Sequence, residues 1–191
     1  WGRDFFVNEN VLIPRPETET IIIHLKKNLP GDKVLEIGTG SGCLSITLEL
    51  ELGIHNITAT DVSQSALVVA NKNQKKHGSS ILFVHHDFLN EGFKSKFDLV
   101  VSNPPYISKN EMTNLGQHII RYEPHQALTD GGDGLEFYRR FSKIGRNVLS
   151  KGGRMILEFG GFKQKDDVLS IFEDYLCSII NDQNNEPRLI E

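Results

Sequence analysis

Cysteine is scarce in this chain of 191 residues, which has only Cys43 and Cys177. Two cysteines so far apart in the sequence form neither a disulfide framework nor the paired spacing of a structural zinc site. The histidines contain no HExxH arrangement, and the neighbouring His85 and His86 would point to opposite faces of a strand, where they could not easily share one ion. We therefore expect no metal, and the low cysteine content fits a reducing compartment.

Long apolar runs and concentrated positive charge are absent too. No apolar run approaches the roughly 18–20 residues needed to cross a bilayer, and no signal peptide is visible after Trp1. The net charge is -4, and the longest basic clusters are the pairs at 26–27 and 75–76. Because nucleic-acid binders usually carry a clustered basic face, we expect no direct contact with nucleic acid. We expect a monomer in the cytoplasm, or in an organellar matrix if the source is eukaryotic.

Short apolar segments alternate with helical ones from residue 34 onwards. The patterns predict strands at 34–37, 57–61, 81–84, 97–102 and 154–159, and helices at 44–52, 63–77, 135–149 and 166–175. Two further strands are expected near 177–180 and 188–190. Alternation of this kind predicts βαβ units joined by right-handed crossovers. The fold class is therefore α/β, with a doubly wound, mostly parallel, Rossmann-like sheet.

The chain divides into a lead-in over residues 1–30 and an α/β domain over residues 31–191. Two prolines bracket Arg15 in the lead-in and predict a stiff, extended turn, and a helix is expected over 18–29. The loop over 104–133 is long for a compact domain, and loops of this length are usually lids or binding segments.

A glycine-rich loop joins the first predicted strand to the next helix and is a candidate ligand site. It reads Gly38, Thr39, Gly40, Ser41, Gly42. The spacing is neither the GxGxxG of dinucleotide sites nor the GxxxxGK[ST] of phosphate loops. Glu36, just before the loop, would repel a pyrophosphate, whereas it suits a ligand with an ammonium or a sulfonium, such as S-adenosylmethionine.

Acidic residues end the next two predicted strands. Asp61 can accept hydrogen bonds from ribose hydroxyls, although it can instead cap the following helix. Asp87 could accept a hydrogen bond from an adenine amino group. Phe88 could pack on the face of that ring or could belong to the core.

The fourth predicted strand ends in Asn103, Pro104, Pro105 and Tyr106, the most specific motif in the chain. An amide or amino nitrogen is a poor nucleophile because its lone pair is delocalised. The Asn103 side-chain oxygen and the Pro104 carbonyl could hold its two hydrogens and orient it. Tyr106 could offer a flat face to a planar substrate. The alternative is a proline turn with a buried tyrosine.

Four segments together resemble the release-factor glutamine methyltransferases. They are IPRPETE at 13–19, EIGTGSG at 36–42, NPPY at 103–106, and YEP at 122–124 followed by GGDGL at 131–135. The NPPY motif alone is shared with DNA adenine methyltransferases, whereas the first and last segments are more selective. The related enzymes that act on a ribosomal protein typically have serine after the arginine of the first segment, so Pro16 favours the release-factor branch.

The resemblance implies transfer of a methyl group from S-adenosylmethionine to N5 of the glutamine in the Gly-Gly-Gln loop of a release factor. By position, residues 38–42, Asp61, Phe88 and Asn103 would bind the cofactor, and residues 103–106 would hold the glutamine. Relatives often have tryptophan at position 88. Relatives also carry an N-terminal helical domain, which we expect to be missing here. The alternatives are a nucleic-acid adenine N6-methyltransferase, a ribosomal-protein glutamine methyltransferase and a cofactor-binding module without activity.

Overall fold

A computed structural model describes all residues, 1–191, and contains seven strands and seven α-helices. The strands are β1 Lys33–Ile37, β2 Asn56–Asp61, β3 Leu82–His85, β4 Phe97–Ser102, β5 Leu149–Glu158, β6 Ile179–Asn181 and β7 Pro187–Ile190. The helices are α1 Glu19–Leu25, α2 Cys43–Leu52, α3 Gln64–His77, α4 Lys109–Met112, α5 Gln117–Tyr122, α6 Glu136–Val148 and α7 Lys165–Ile171.

All seven strands form one sheet in the order β3-β2-β1-β4-β5-β7-β6. The first five strands pair in parallel, and β7 is antiparallel to both β5 and β6. The predicted doubly wound, mostly parallel α/β sheet is therefore confirmed. The strand order reverses between β1 and β4, and Ile37 is paired there with Ser102. Ligands of such sheets bind at this reversal, beyond the carboxyl ends of the strands.

The sheet is covered on both faces, as expected for parallel strands that read as continuous apolar runs. Successive side chains of β1 point to opposite faces: Val34 packs in a core cluster with α1 and α2, and Leu35 packs in a second cluster with α6 and α7. Burying each such side chain contributes roughly 1.5–3 kcal/mol. No helix is both long and apolar enough to cross a membrane.

The ends of several elements differ from the sequence predictions for local reasons. The first helix opens with a 3-10 turn at Pro16–Thr18 and ends at Leu25, four residues before the predicted end. Strand β5 begins at 149 rather than 154, because a bulge opposite Phe97–Leu99 lets the strand continue through its glycines. The predicted N-cap Ser63 is confirmed, since its hydroxyl accepts a hydrogen bond from the Ala66 amide.

Gly134 lets the 104–133 loop return against its own start. Its backbone has φ +81°, and a Cβ there would collide with the Tyr106 carbonyl oxygen and lie 3.0 Å from Gln164 Nε2. Gln164 Nε2 also donates a hydrogen bond of 2.7 Å to that carbonyl. The close approach therefore fixes the end of the loop to the chain just after β4.

We predict that Gly134→Ala destabilises the fold more than Gly131→Ala does. Gly131 is the matched control, because it has a similar φ of +79° but nothing within 4 Å of a built Cβ. The shared left-handed backbone should cost each variant about 1–2 kcal/mol, and overpacking should cost Gly134→Ala a further ~1–3 kcal/mol. Urea unfolding measures both, and equal losses would contradict the role assigned to the close approach.

Candidate functional site

A large cavity opens where the strand order reverses. Its volume is about 660 Å³, and it is lined by the glycine loop after β1, the ends of β2 and β3, Asn103 after β4, and segments of the lead-in and of the 104–133 loop. Since Ile37 and Ser102 are paired neighbours in the sheet, Gly38 and Asn103 begin side by side at this edge. The tertiary structure thus brings together the two motifs that are furthest apart in the predicted site.

The glycine loop forms an open wall of the cavity. Gly38 and Gly40 have φ of +74° and +54°, and a Cβ on either would stand in open space. Other side chains would be strained in this left-handed conformation, and they would project into room that a ligand could use. The amides of Gly38 and Thr39 both donate to the Thr60 carbonyl at 2.9 Å. The loop is therefore held by β2 while Gly38 and Gly40 face the cavity. Gly42 does not line the cavity, since a Cβ there would lie 3.1 Å from the Phe83 ring, and its predicted contact with a cofactor stays a prediction.

Glu36 is a carboxylate buried in the cavity wall without an ionic partner. Its side chain accepts a hydrogen bond of 2.7 Å from the Thr39 hydroxyl, and the residue is 3% exposed. The pKa of Glu36 is raised to about 7, chiefly by burial and to a smaller extent by the nearby Asp61, and hydrogen bonds from Thr39 and Ser45 limit the rise. A cation bound in the cavity would favour the ionised form, so the site fits a ligand that carries a positive charge.

Asp61 lies at the cavity and also holds the glycine loop. One carboxylate oxygen accepts from the Gly40 amide at 2.9 Å, and the other accepts from the Ser63 amide at 2.8 Å. The helix cap is Ser63 rather than Asp61. Burial raises the pKa of Asp61 while these backbone amides lower it. Each oxygen keeps a further lone pair, so the ribose contact stays a prediction beside this structural role, which the turn pattern Asp-x-Ser could have indicated.

Asp87 and Phe88 close the cavity beyond β3. The Asp87 carboxylate accepts from the Leu89 amide at 3.1 Å and from the Asn90 side chain at 2.9 Å, and its pKa is lowered chiefly by the Asn90 bond. The Phe88 ring is 4% exposed and packs on Phe141, with ring centroids 4.4 Å apart. Phe88 is therefore part of the core, which is one of the two roles that the sequence allows for it. Contacts of Asp87 and Phe88 with an adenine stay predictions.

Asn103 presents an unused oxygen at the cavity. Its Nδ2 donates a hydrogen bond of 3.0 Å to the hydroxyl of Thr18, whereas its Oδ1 and the Pro104 carbonyl accept no hydrogen bond within the chain. Asn103 and Pro105 line the cavity. One residue with a free oxygen acceptor therefore lies at the cavity, and the acceptor role of the Pro104 carbonyl stays a prediction.

Tyr106 and Pro104 do not line the cavity. Pro104 is buried, and the Tyr106 ring packs beside the second core cluster, where burial raises the pKa of its hydroxyl. Aromatic rings bury a large apolar area, and here the Tyr106 ring buries part of its area against the core. Contact of Tyr106 with a substrate therefore stays a prediction.

The most important contact that the sequence did not reveal joins Arg15 to Glu123. The Arg15 guanidinium donates to both carboxylate oxygens of Glu123, at 2.6 and 2.8 Å. The Glu123 side chain is only 3% exposed, so the pair fastens the 104–133 loop to the lead-in. The two residues lie in the two selective segments, IPRPETE and YEP, but nothing in either segment indicates that they are partners.

The sequence of this chain matches those of known methyltransferases. Residues 16–141 match the family described as the methyltransferase small domain. The chain is 40% identical over 202 residues to the release factor glutamine methyltransferase of Bacillus subtilis, covering 100% of this chain and 70% of that protein. The corresponding Staphylococcus aureus protein is 39% identical over 198 residues, with the same coverage. The chain belongs to the family of release factor glutamine methyltransferases. The resemblance indicated by the sequence motifs is confirmed.

Solved structures with little sequence similarity share the fold. A methyltransferase from Pyrococcus furiosus has a TM-score of 0.73 at 22% identity, over 100% of this chain and 88% of that one. A ribosomal protein L11 methylase from Lactobacillus delbrueckii has a TM-score of 0.65 at 18% identity, over 95% and 80%. These likenesses confirm the methyltransferase fold that the resemblance implies.

We predict that Arg15→Met loosens the 104–133 loop. The change keeps most of the side-chain length but leaves the buried Glu123 carboxylate without its cation. Breaking a buried pair costs about 3–5 kcal/mol, and since the Arg15 side chain is 31% exposed we expect about 2 kcal/mol. Urea unfolding gives the loss of stability, and hydrogen exchange should locate faster exchange in the loop.

Arg121→Met is the matched control, because Arg121 lies in α5, within the same 104–133 segment as Glu123, and is exposed. Equal exchange and equal stability in the two variants would contradict a fastening role for the Arg15–Glu123 pair.

Proposed function

We propose that this chain transfers the methyl group of S-adenosylmethionine to the side-chain nitrogen of a glutamine in a peptide-chain release factor. The observation that carries the proposal is the adjacency of the open glycine loop and the unused Asn103 oxygen at one cavity. The relatives from Bacillus subtilis and Staphylococcus aureus are named for the same activity. By the same resemblance, the position methylated is N5 of the glutamine in a Gly-Gly-Gln loop.

The residues of the cavity fit S-adenosylmethionine. When bound, this cofactor supplies a methyl group on a positively charged sulfur. Gly38 and Gly40 leave room for it beside the backbone, Glu36 provides a buried carboxyl group that a cation would ionise, and Asp61 retains lone pairs for ribose hydroxyls. The same wall would repel the pyrophosphate of a dinucleotide. This combination supports a cationic nucleoside as the ligand.

Asn103 and Pro104 would prepare the nucleophile. The Asn103 Oδ1 and the Pro104 carbonyl can each accept one hydrogen of a glutamine amide, which orients the nitrogen toward the cofactor. Both acceptors also stabilise the positive charge that builds on the nitrogen as it attacks. The nitrogen then loses a proton, which becomes acidic enough to leave to water. No side chain is therefore required as a general base.

The proposed partner is a release factor, taken up as a protein loop by a monomeric enzyme without direct contact to nucleic acid. Lys109 and Arg121 are the only lysine and arginine of the 104–133 loop. The Arg15 guanidinium of the lead-in, which lies against this loop, is engaged by Glu123. A DNA enzyme must flip its base out of the stack and needs a surface that compensates for this cost. Because release factors act with ribosomes, we place the activity in the cytoplasm or an organellar matrix.

The proposal is tested by supplying S-adenosylmethionine labelled in its methyl group to the enzyme with a release factor, a ribosomal protein or duplex DNA. We expect label at one release-factor glutamine, located by mass spectrometry, and none in the other two samples. Label in DNA alone would support the adenine methyltransferase instead. Label in the ribosomal protein alone would move the chain to that branch.

Asn103→Ala tests, in the same assay, the role proposed for Asn103 in the chemistry. It should lower the turnover rate by about 100-fold, as expected for the loss of one pre-aimed contact in the transition state, while the Kd of the cofactor stays nearly unchanged. A large loss of cofactor affinity would instead mean that Asn103 mainly holds the cofactor.

We also predict that cofactor affinity rises with pH through the titration of Glu36. The pKa of about 7 in the free protein means that the carboxyl is mostly protonated at pH 6 and ionised at pH 8. A cationic ligand selects the ionised form, so its affinity should be about tenfold lower at pH 6 than at pH 8. Isothermal titration calorimetry at the two pH values measures the difference.

Two comparisons identify the group that causes the pH dependence of cofactor affinity. Glu36→Gln should weaken binding and flatten the pH dependence, and the neutral thioether analogue of the cofactor should show a smaller dependence in the unchanged enzyme. Glu158 has a pKa of about 7 as well, and an unaltered pH profile in Glu36→Gln would assign the effect to another group.

A further inference from the structure

Glu158 is a buried carboxylate that takes no part in the proposed chemistry. It ends β5 and is 1% exposed. Ser102 is paired with Leu157 in the sheet, so Asn103 and Glu158 follow as neighbours. The Tyr138 hydroxyl donates to the main-chain carbonyl of Glu158 at 2.7 Å. The carboxyl group is thus set firmly beside the motif that carries Asn103.

Thr18 connects this carboxylate to Asn103 through two hydrogen bonds. The Thr18 hydroxyl donates to Glu158 Oε2 at 2.7 Å and accepts from Asn103 Nδ2 at 3.0 Å. Thr18 belongs to the IPRPETE segment, 85 residues before Asn103 in the sequence. The three side chains form a chain of hydrogen bonds that runs from the interior to the cavity.

We propose that Thr18 and Glu158 are positioning residues that determine which end of the Asn103 side-chain amide faces the substrate. The inference rests on the proposed function, in which Asn103 Oδ1 accepts a hydrogen from the glutamine amide. Both residues act through Asn103 and do not themselves contact the reacting atoms.

The direction of the hydrogen bonds follows from the number of protons. An ionised carboxylate only accepts, and a threonine hydroxyl has one proton to donate. Because that proton is used by Glu158, Thr18 can offer Asn103 only a lone pair. The Asn103 NH₂ group must therefore turn toward Thr18, which leaves Oδ1 for the cavity. In the flipped orientation, the NH₂ group would face the substrate NH₂, and two donors would oppose each other.

The surroundings of Glu158 set how firmly this direction is maintained. Burial raises its pKa to about 7, and Glu17 raises it, whereas the Thr18 hydroxyl, Arg188 and the Tyr106 hydroxyl lower it. A protonated Glu158 could donate to Thr18 and release the threonine proton toward Asn103. The ionised form is therefore the one that fixes the amide.

Thr18→Val and Thr18→Ser separate the hydroxyl from the rest of the side chain. Valine keeps the shape of threonine but cannot accept from Asn103, so kcat on a release factor should fall at least about tenfold through lost orientation. The KM for the release factor and the Kd of the cofactor should change less than about twofold. Serine keeps the hydroxyl and should restore kcat to within about threefold of the parent enzyme.

Combination with Asn103→Ala tests whether Thr18 acts through Asn103. If it does, Thr18→Val has no further effect on kcat in the Asn103→Ala enzyme, whereas independent roles would add. Glu158→Gln retains an acceptor but can also donate, so it should lower kcat in the same direction as Thr18→Val. Thermal melting is recorded for every variant, and Thr18→Ala provides a second variant without the hydroxyl.

The outcomes separate this inference from the proposed function. A parental kcat in Thr18→Val and Thr18→Ala, with Asn103→Ala impaired, would overturn the inference alone. Additive losses, or failure of serine to restore kcat, would also overturn it by assigning Thr18 a purely structural role. No methylation of a release factor by the parent enzyme would overturn the proposed function and the inference with it.

Discussion

The parallel pairing of β1 with β4 is the constraint on which the site depends. These strands are far apart in the sequence but adjacent in the sheet, with Ile37 opposite Ser102. The glycine loop and Asn103 therefore both begin at the carboxyl edge of the sheet, directly after two paired residues. A slip of one residue in either strand would turn its buried side chains to the opposite face, so the core that stabilises the sheet also fixes the spacing of the site.

The IPRPETE segment connects this edge to the rest of the cavity wall. Arg15 fastens the 104–133 loop through Glu123, and Thr18 reaches Asn103 and Glu158. The prolines around Arg15 limit the backbone to extended conformations, which reduces the entropy lost on making these contacts. One short segment thus holds both the loop over the cavity and the side chain proposed to orient the substrate.

Three buried carboxylates surround the site, and each is stabilised in a different way. Glu123 has a guanidinium partner, Glu158 has a threonine hydroxyl and the favourable charge of Arg188, and Glu36 has only neutral hydroxyl and amide donors. Burying an ionised group without a cation is unfavourable. Glu36 is therefore the residue whose environment a positively charged ligand would improve most, while the other two are already engaged within the chain.

The sequence by itself determined the α/β sheet, the glycine loop and the Asn103 motif, because their signals are local: apolar runs, glycine spacing and prolines. It also allowed a core role for Phe88. Only the tertiary structure decided that Asp61 holds Gly40, that Tyr106 packs away from the cavity, and that Thr18 and Glu158 are partners. Those contacts join side chains up to 140 residues apart. Such pairings depend on strand order and register, which composition and periodicity do not specify.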